Sequence, residues 1–216
     1  MKSSSRFLLL PVWLVACASP SVLSPTPGAE GFDGGSEGWR AASTGGQGAD
    51  ASWAAVADVG AISAPNVLAL TRVNHSAEDR FNLFVQAATR LQDVRLSVAV
   101  RADDGVVDQG GGPMWRVQDA DNYYLCRFNP LESNYRVYVV KDGVRRQLAT
   151  ALAPTTAGRW HRVAVEHVGD RITCWLDGAP LLQTQDATIA APGGIGLWTK
   201  ADARTSFDDL VAAAPK

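Results

Sequence analysis

Short runs in which apolar and polar residues alternate dominate the chain after residue 32. In the clearest run, from Val94 to Arg101, every second residue is valine or leucine, and arginine, serine and alanine lie between them. Successive side chains of a strand point to opposite faces of its sheet, so a period of two indicates a strand with one buried face. We therefore expect a strand here, with its valines and leucine in the core.

Ten further runs show related patterns, separated by turns that contain glycine, aspartate, asparagine or proline. They cover residues 66–71, 81–86, 114–117, 123–129, 134–140, 146–150, 160–167, 171–176, 195–200 and 206–212. Many short, evenly punctuated strands predict an all-β domain, an antiparallel sandwich of two sheets. We expect this domain to span residues 32–213. Its core should include Val94, Leu96, Val98, Val163, Val165, Ile172 and Leu176.

One hairpin can be predicted in register. Segments 123–129 and 134–140 flank a four-residue loop, and a pairing of Asn129 with Asn134 sets Arg127 opposite Arg136. One face of this hairpin is aromatic and apolar, which makes it the core side. We interpret the other face, which carries both arginines, as polar.

The opposed arginines need an explanation, because like charges facing each other across two strands cost part of the roughly 0.2–1 kcal/mol typical of cross-strand pairs. A nearby carboxylate such as Glu132, or a ligand, would offset the repulsion. The alternative is that both long side chains splay into solvent.

The first 17 residues have the features of an export signal. Lys2 and Arg6 precede a ten-residue apolar run at 7–16, and Cys17 follows directly. Such a run suits a signal peptide, since spanning a bilayer takes about 20 residues. The sequence Leu-Val-Ala-Cys resembles a bacterial lipobox, which implies acylation of Cys17; the alternative is an ordinary secretory signal. Residues 18–31, rich in proline, serine and alanine, predict an extended tether.

Composition adds two points. The formal net charge is −2 with no basic stripe, which argues against nucleic acid as a partner. Cys126 and Cys174 both occupy core-facing positions of their strands. They are either a disulfide or two buried thiols that act as small apolar side chains.

Three phrases go beyond generic β patterning: GPMWRVQDADNYY at 112–124, WHRVAVE with DRI and LDG within 160–178, and GLWTKAD with FDD within 196–209. Together they resemble bacterial concanavalin A-like jelly rolls, related to laminin G domains and to the 3-keto-disaccharide hydrolase domain family. The resemblance covers nearly the whole chain after the tether and implies a jelly-roll sandwich. It leaves function open, because lectins, glycanases and adhesion modules share this fold.

The chemistry of a retaining glycanase is missing from the pattern. Such enzymes on this fold carry Glu-x-Asp-x-Glu or Glu-x-Asp-x-x-Glu on one strand, and none of the five glutamates makes either spacing. Calcium is the better candidate among metals. Asp33 begins the domain and Asp208 and Asp209 end it, and the resemblance implies that the terminal strands lie side by side. Carboxylates and carbonyls there could supply the 6–8 oxygens that calcium takes; the alternative is solvated turn aspartates.

A ligand face is predicted from two strands. Arg127, Asn129, Asn134 and Arg136 share one face of the hairpin, and Trp198 and Lys200 share a face of another strand. Sugars are bound by an aromatic ring together with fixed planar donors, and this set offers both. The competing interpretation places Trp198 in the core and the arginines in solvent.

We expect a non-catalytic carbohydrate-binding jelly roll on a lipoprotein of the cell envelope, anchored in the outer membrane through its lipid only. The resemblance also implies an alternative, an enzyme that hydrolyses or eliminates 3-keto (oxidised) glycosides. A third hypothesis is an envelope scaffold that binds protein.

The anchor can be tested directly. Cys17→Ser removes the thiol to be acylated, so the variant should move from the membrane to the soluble fraction, whereas Ser19→Ala should not. Membrane fractionation followed by immunoblotting measures this. Unchanged fractionation of Cys17→Ser would rule out the lipid anchor.

Overall fold

The computed structural model describes residues 29–73 and 77–215. This part of the chain forms fourteen strands and no helix, arranged as two seven-stranded antiparallel sheets. It therefore contains no helix with the length and apolarity needed to cross a membrane. The all-β sandwich is confirmed. Cys17, the signal segment and all but the last three residues of the tether lie outside the described residues.

In chain order the strands are β1 (Trp39–Thr44), β2 (Ser52–Ala57), β3 (Asn66–Arg72), β4 (Phe81–Leu91), β5 (Val94–Asp104), β6 (Gly112–Asp119), β7 (Asn122–Asn129), β8 (Asn134–Lys141), β9 (Val144–Leu152), β10 (Trp160–Val168), β11 (Arg171–Leu176), β12 (Ala179–Gln185), β13 (Gly193–Lys200) and β14 (Arg204–Ala213). The first sheet has the order β1-β4-β13-β6-β7-β8-β9. The second has the order β12-β11-β10-β5-β14-β3-β2.

The main core lies between the two sheets. Aromatic side chains of the first sheet, such as Trp115, Tyr124 and Phe128, pack in one cluster with the aliphatic side chains of the second. All seven predicted core residues belong to this cluster, each 6% exposed or less. The period-two pattern identified them because their strands, β5, β10 and β11, alternate over much of their length between fully buried and more exposed side chains.

The predicted hairpin register is confirmed. Asn129 pairs with Asn134 and Arg127 with Arg136, as the four-residue turn requires. The turn closes through a hydrogen bond from Ser133 N to the Pro130 carbonyl.

Three strands were absent from the prediction: β1, β2 and β12. All three are edge strands. β1 and β2 are rich in alanine, and β12 has proline at its second position. Alanine and proline are poor strand formers, and an edge strand is held by a single neighbour, so its own pattern is weak.

The two cysteines are free buried thiols on facing sheets, Cys126 on β7 and Cys174 on β11. The Tyr135 hydroxyl donates to Cys126 Sγ at 3.4 Å. Burial raises the pKa of the Cys174 thiol, and its neighbour Cys126 raises it further. Of the two interpretations, the structure has the buried thiols.

The arginine-bearing face of the hairpin is not polar throughout, which corrects the sequence-based interpretation. Its Tyr123, Leu125, Tyr138 and Val140 are 3% exposed or less. They join a second apolar cluster on the outer face of the first sheet, with Phe81, Leu83, Met114, Val117 and Trp198. The first sheet therefore buries apolar side chains on both of its faces.

Strong curvature makes this second cluster possible. Phe81 lies on the second strand of the sheet order and Arg145 on the seventh, yet the Arg145 guanidinium lies 4.8 Å from the centre of the Phe81 ring. The hydroxyls of Thr44 on the first strand and Tyr123 on the fifth are 2.7 Å apart. Strands so far apart in a flat sheet could not touch. The outer face is therefore concave, and we call it the cleft.

The core assignment yields a stability prediction. Val98 is fully buried, so Val98→Asp places a carboxylate without a partner in the core, at a cost of several kcal/mol. We expect this variant to lose its cooperative thermal unfolding by circular dichroism. Val106→Asp is the matched control, because Val106 is 86% exposed and should tolerate the charge. A folded Val98→Asp would contradict the assigned strand face.

Candidate functional site

A charged cluster lies in the cleft, and its first part is the hairpin arginine pair. Glu132 Oε2, from the turn, lies 2.9 Å from Arg136 Nη1 and 3.4 Å from Arg127 Nη2. It also accepts a hydrogen bond from Asn134 Nδ2 at 2.6 Å. The carboxylate between the two guanidinium groups offsets their repulsion. Of the explanations offered for the opposed arginines, the nearby Glu132 is the one the structure contains.

The second part of the cluster is a carboxylate that the sequence analysis missed. Asp108 is 2% exposed, and its Oδ1 accepts a hydrogen bond from Asn129 Nδ2 at 2.9 Å. Its other oxygen lies 3.2 Å from Lys200 Nζ. The structure thus brings the predicted Lys200 and the predicted hairpin residues together around a residue from the β5–β6 loop.

Hydrogen bonds to the backbone and the conformation of one glycine hold the loop of Asp108 in place. The Asp202 carboxylate accepts hydrogen bonds from the amides of Val106, Val107 and Asp108, at 2.8–3.2 Å. Gly105 begins this loop with a φ of 142°, and a Cβ at that position would lie 2.0 Å from the Asp108 carbonyl oxygen. Only glycine fits there. The loop is therefore shaped to deliver the Asp108 carboxylate to the cleft.

Electrostatics in the cluster follow from burial. Burial raises the pKa of Asp108, although Arg127 and Lys200 counteract it. Burial also acts to raise the pKa of Glu132, but the hydrogen bond from Asn134 and the charges of Arg127 and Arg136 outweigh it and hold that pKa below its ordinary value. The two carboxylates of the cleft therefore differ, since Asp108 is the stronger base.

Arg145 is the third part of the charged cluster, and the sequence analysis did not identify it either. Its guanidinium lies over three aromatic rings, 4.6 Å from Tyr138, 4.8 Å from Phe81 and 5.8 Å from Trp198. A signal for it was in the sequence. Continuing the hairpin pattern across the turn after β8 pairs Val140 with Arg145, on the face that carries Arg136.

Trp198 does not form the open aromatic plate that the ligand prediction requires. It is 1% exposed, packs beside Phe81 at 5.3 Å and lies beneath Arg145. The ring is covered because the curved sheet closes over it. Trp198 therefore supports the charged cluster from below, and ligand contact by the other predicted residues stays a prediction.

The three aspartates proposed for calcium have protein partners. Asp208 is fully buried and accepts from the amides of Ile62 and Ser63, and Asp209 pairs with Arg162. Asp33 accepts from the Asn66 amide at 3.0 Å. Among residues 29–73 and 77–215, no group of three or more His, Cys, Asp and Glu side chains converges as a metal site. Calcium binding stays a prediction.

An open groove adjoins the apolar cluster of the cleft. It has a volume of about 560 Å³ and lies on the same face of the first sheet. Its lining combines small apolar residues with polar ones: Gly38, Arg40, Ala42, Val85, Ala87, Ala88, Arg90, Val117, Gln118, Asp119 and Ala120. A cavity of about 670 Å³ on the outer face of the second sheet is lined by residues of β10, β11 and β12, remote from the charged cluster. The charged cluster and the open groove thus both lie on the first sheet.

Comparison with known proteins decides the family. The family model of the 3-keto-alpha-glucoside-1,2-lyase-like domain matches residues 29–211. The chain belongs to this family. The resemblance stated from the sequence is confirmed, and the matched region contains the whole charged cluster. No curated protein matches the chain significantly.

Solved structures share the fold at low identity. Carbohydrate binding module CBM66 from Bacillus subtilis superposes with a TM-score of 0.64 at 17% identity, covering 82% of this chain and 96% of that one. A Bacillus subtilis protein of unknown function with a galectin-like fold superposes with a TM-score of 0.57 at 11% identity. The match covers 82% of this chain and 89% of that one. The cellulose induced protein Cip1 superposes with a TM-score of 0.57 at 14% identity, and the match covers 87% of this chain and 97% of that one. These likenesses establish the jelly-roll fold.

The bridging carboxylate can be tested by substitution and pH. Glu132→Gln removes the charge between the arginines, so stability at pH 7 should fall by about 1 kcal/mol, a modest figure because the carboxylate is partly exposed. Since the folded-state pKa of Glu132 is lowered, its contribution is complete above the ordinary glutamate pKa of about 4.3 and disappears as the pH falls through the folded-state value.

Urea unfolding of wild type and Glu132→Gln between pH 3 and pH 7 measures the effect. Glu166→Gln is the control, because Glu166 faces Arg95 at 4.0 Å on the second sheet and should have little influence. A stability difference for Glu132→Gln that does not change with pH would contradict the bridging role.

Proposed function

We propose that the cleft binds a carbohydrate and that the protein acts on 3-keto glycosides by elimination. One observation carries this proposal: Asp108, a buried carboxylate of raised pKa, lies against Lys200 and under the influence of Arg127. A base beside fixed cations is what proton abstraction next to a carbonyl requires. Membership of the family named for a 3-keto-alpha-glucoside-1,2-lyase supports the substrate class.

The chemistry follows from the position of the ketone. In a 3-keto glycoside the hydrogen on C2 is acidic, because its loss gives an enolate delocalised onto the C3 oxygen. The enolate electrons then form the C1–C2 double bond as the bond between C1 and the glycosidic oxygen breaks. The departing oxygen takes a proton, so the products are an alcohol and an unsaturated 3-keto sugar.

Each residue of the cluster has a role in this scheme. Asp108 takes the C2 proton, and burial strengthens it as a base by raising its pKa. Lys200 and Arg127 supply positive charge where negative charge develops on the enolate oxygen. Asn129 orients the base through its hydrogen bond to Asp108 Oδ1. Asp202 is a positioning residue, since it acts only on the loop that carries Asp108.

A second candidate is carbohydrate binding without catalysis. The open groove beside the cleft favours it, because small apolar side chains next to Arg40, Arg90 and Gln118 suit the mixed surface of a sugar. On this view the charged cluster only shapes the cleft. A shallow, preformed sugar surface would then be the whole site.

The proposed setting is the outer membrane, with the domain held there by a lipid on Cys17 and reaching glycans of the envelope or its surroundings. The export signal and the tether support this proposal, and nucleic acid is not a proposed partner because the chain lacks a basic stripe.

Turnover decides between the two candidates. The purified domain is incubated with p-nitrophenyl 3-keto-α-glucoside, and p-nitrophenol release is followed by absorbance. Asp108→Asn keeps the shape but removes the base, so the rate should fall at least about a hundredfold. Because the acting form is the carboxylate, the wild-type rate should rise with pH through a pKa above the ordinary aspartate value of about 3.9.

Asp170→Asn is the matched control, since Asp170 lies in an exposed turn between β10 and β11 and should not affect the rate. Full activity of Asp108→Asn would eliminate Asp108 as the base. Absence of release by the wild type, together with measurable binding of neutral sugars by calorimetry, would establish the non-catalytic candidate instead.

A further inference from the structure

The positive and negative charges of the charged cluster in the cleft are unequal in number. We define it as Arg127, Arg136, Arg145 and Lys200 with the carboxylates Asp108 and Glu132, so it holds four cations and two anions. Glu132 pairs with Arg127 and Arg136, and Asp108 pairs with Lys200. Arg145 is left over, and within the described part of the chain it forms no ion pair. The cluster therefore carries two uncompensated positive charges.

The environment of Arg145 makes this excess significant. Three aromatic rings cover the face of its guanidinium, which satisfies the flat side of the group by cation–π attraction. The N–H edge of the guanidinium is not satisfied in this way. Its Nη1 is buried and, within the described residues, has no hydrogen-bond partner. Burial also lowers the pKa of Arg145, so the protein bears a cost for keeping the cation there. Arg127 Nε, in the same cluster, is also buried without a hydrogen-bond partner among the described residues, so the cleft holds more than one donor that a ligand would satisfy.

The neighbouring arginine shows what a structural role looks like. Arg146 is exposed and donates to Asp186 Oδ2 at 2.7 Å and to Thr188 Oγ1 at 3.1 Å. It serves the link between β9 and the loop after β12. Arg145, one residue earlier, points into the cleft, where its contacts in the described part of the chain are the aromatic rings.

We propose that Arg145 receives a carboxylate of the ligand, so that the cleft prefers acidic sugars such as glycosides of uronic acids. This inference rests on the proposed carbohydrate site and specifies its ligand. The rings around the Arg145 guanidinium restrict its position, and a carboxylate matches the N–H edge of a guanidinium with two parallel hydrogen bonds. The excess positive charge would also attract such a ligand into the cleft.

The experiment compares two probes that differ only at C6. Methyl α-glucoside and methyl α-glucuronoside are titrated into the full domain by calorimetry at pH 7 and low ionic strength. We expect the uronoside to bind at least roughly tenfold more tightly, as a charged bidentate contact implies. Arg145→Gln should abolish this preference, and Arg145→Lys should keep only part of it because an ammonium lacks the planar edge.

Arg146→Gln is the matched control and should retain the full preference. Thermal unfolding of each variant checks that the fold survives. Equal binding of both probes, or a preference that survives in Arg145→Gln, would overturn the role of Arg145 while leaving the carbohydrate site intact. If neither probe binds, the inference also fails, and release of p-nitrophenol from the neutral 3-keto glycoside then decides the proposed function separately.

Discussion

The first sheet has apolar side chains on both faces, and burying both is the constraint on which the rest of the structure depends. The inner face packs on the second sheet, as in any sandwich. No third layer covers the outer face in the described part of the chain, so the sheet curls until its own side chains meet across it. Phe81, Trp198 and Tyr138 then form a second small core. The cleft is a consequence of this curvature.

Curvature also explains the electrostatics. Charged groups at the border of a second core lose water, and a buried charge is tolerated only when it is paired and hydrogen-bonded. Glu132 pairs with two arginines, and Asp108 is matched with Lys200. Arg145 meets aromatic faces instead of a carboxylate. Perturbed groups gathered in one concave region are more typical of a functional site than of a stabilising network.

The fold by itself says little about activity. A jelly roll is shared with carbohydrate-binding proteins and with proteins of other function, so function must be argued from the groups in the cleft. Those groups come from four separate places in the chain. Asp108 comes from the loop before β6, Arg145 from the start of β9 and Lys200 from the end of β13, and the β7–β8 hairpin supplies Arg127, Glu132 and Arg136. A module that only binds sugar needs no buried base, whereas an eliminating enzyme does. The distinction thus depends on Asp108 and not on the sandwich.

The sequence by itself determined the strands of the sheet interiors, the core faces of β5, β10, β11 and the β7–β8 hairpin, and the register of that hairpin. These are local properties, because a period of two and a four-residue turn specify which residues face each other. The hairpin register alone therefore places Arg127, Arg136 and Glu132 beside one another. The alternation of apolar and polar residues could not show that Tyr123 and Tyr138 are buried. The face of the hairpin that carries them is apolar at one end and charged at the other, so the pattern does not assign it to core or solvent.

Only the tertiary structure decided which remote residues complete the cluster. Asp108 arrives from a loop that Asp202 shapes, and Arg145 reaches Phe81 across five strand steps of the sheet order. Both meetings depend on strand order and curvature, which join positions far apart in the chain and leave no periodic trace within it. The same curvature buried Trp198, whose local pattern suited an exposed ring equally well.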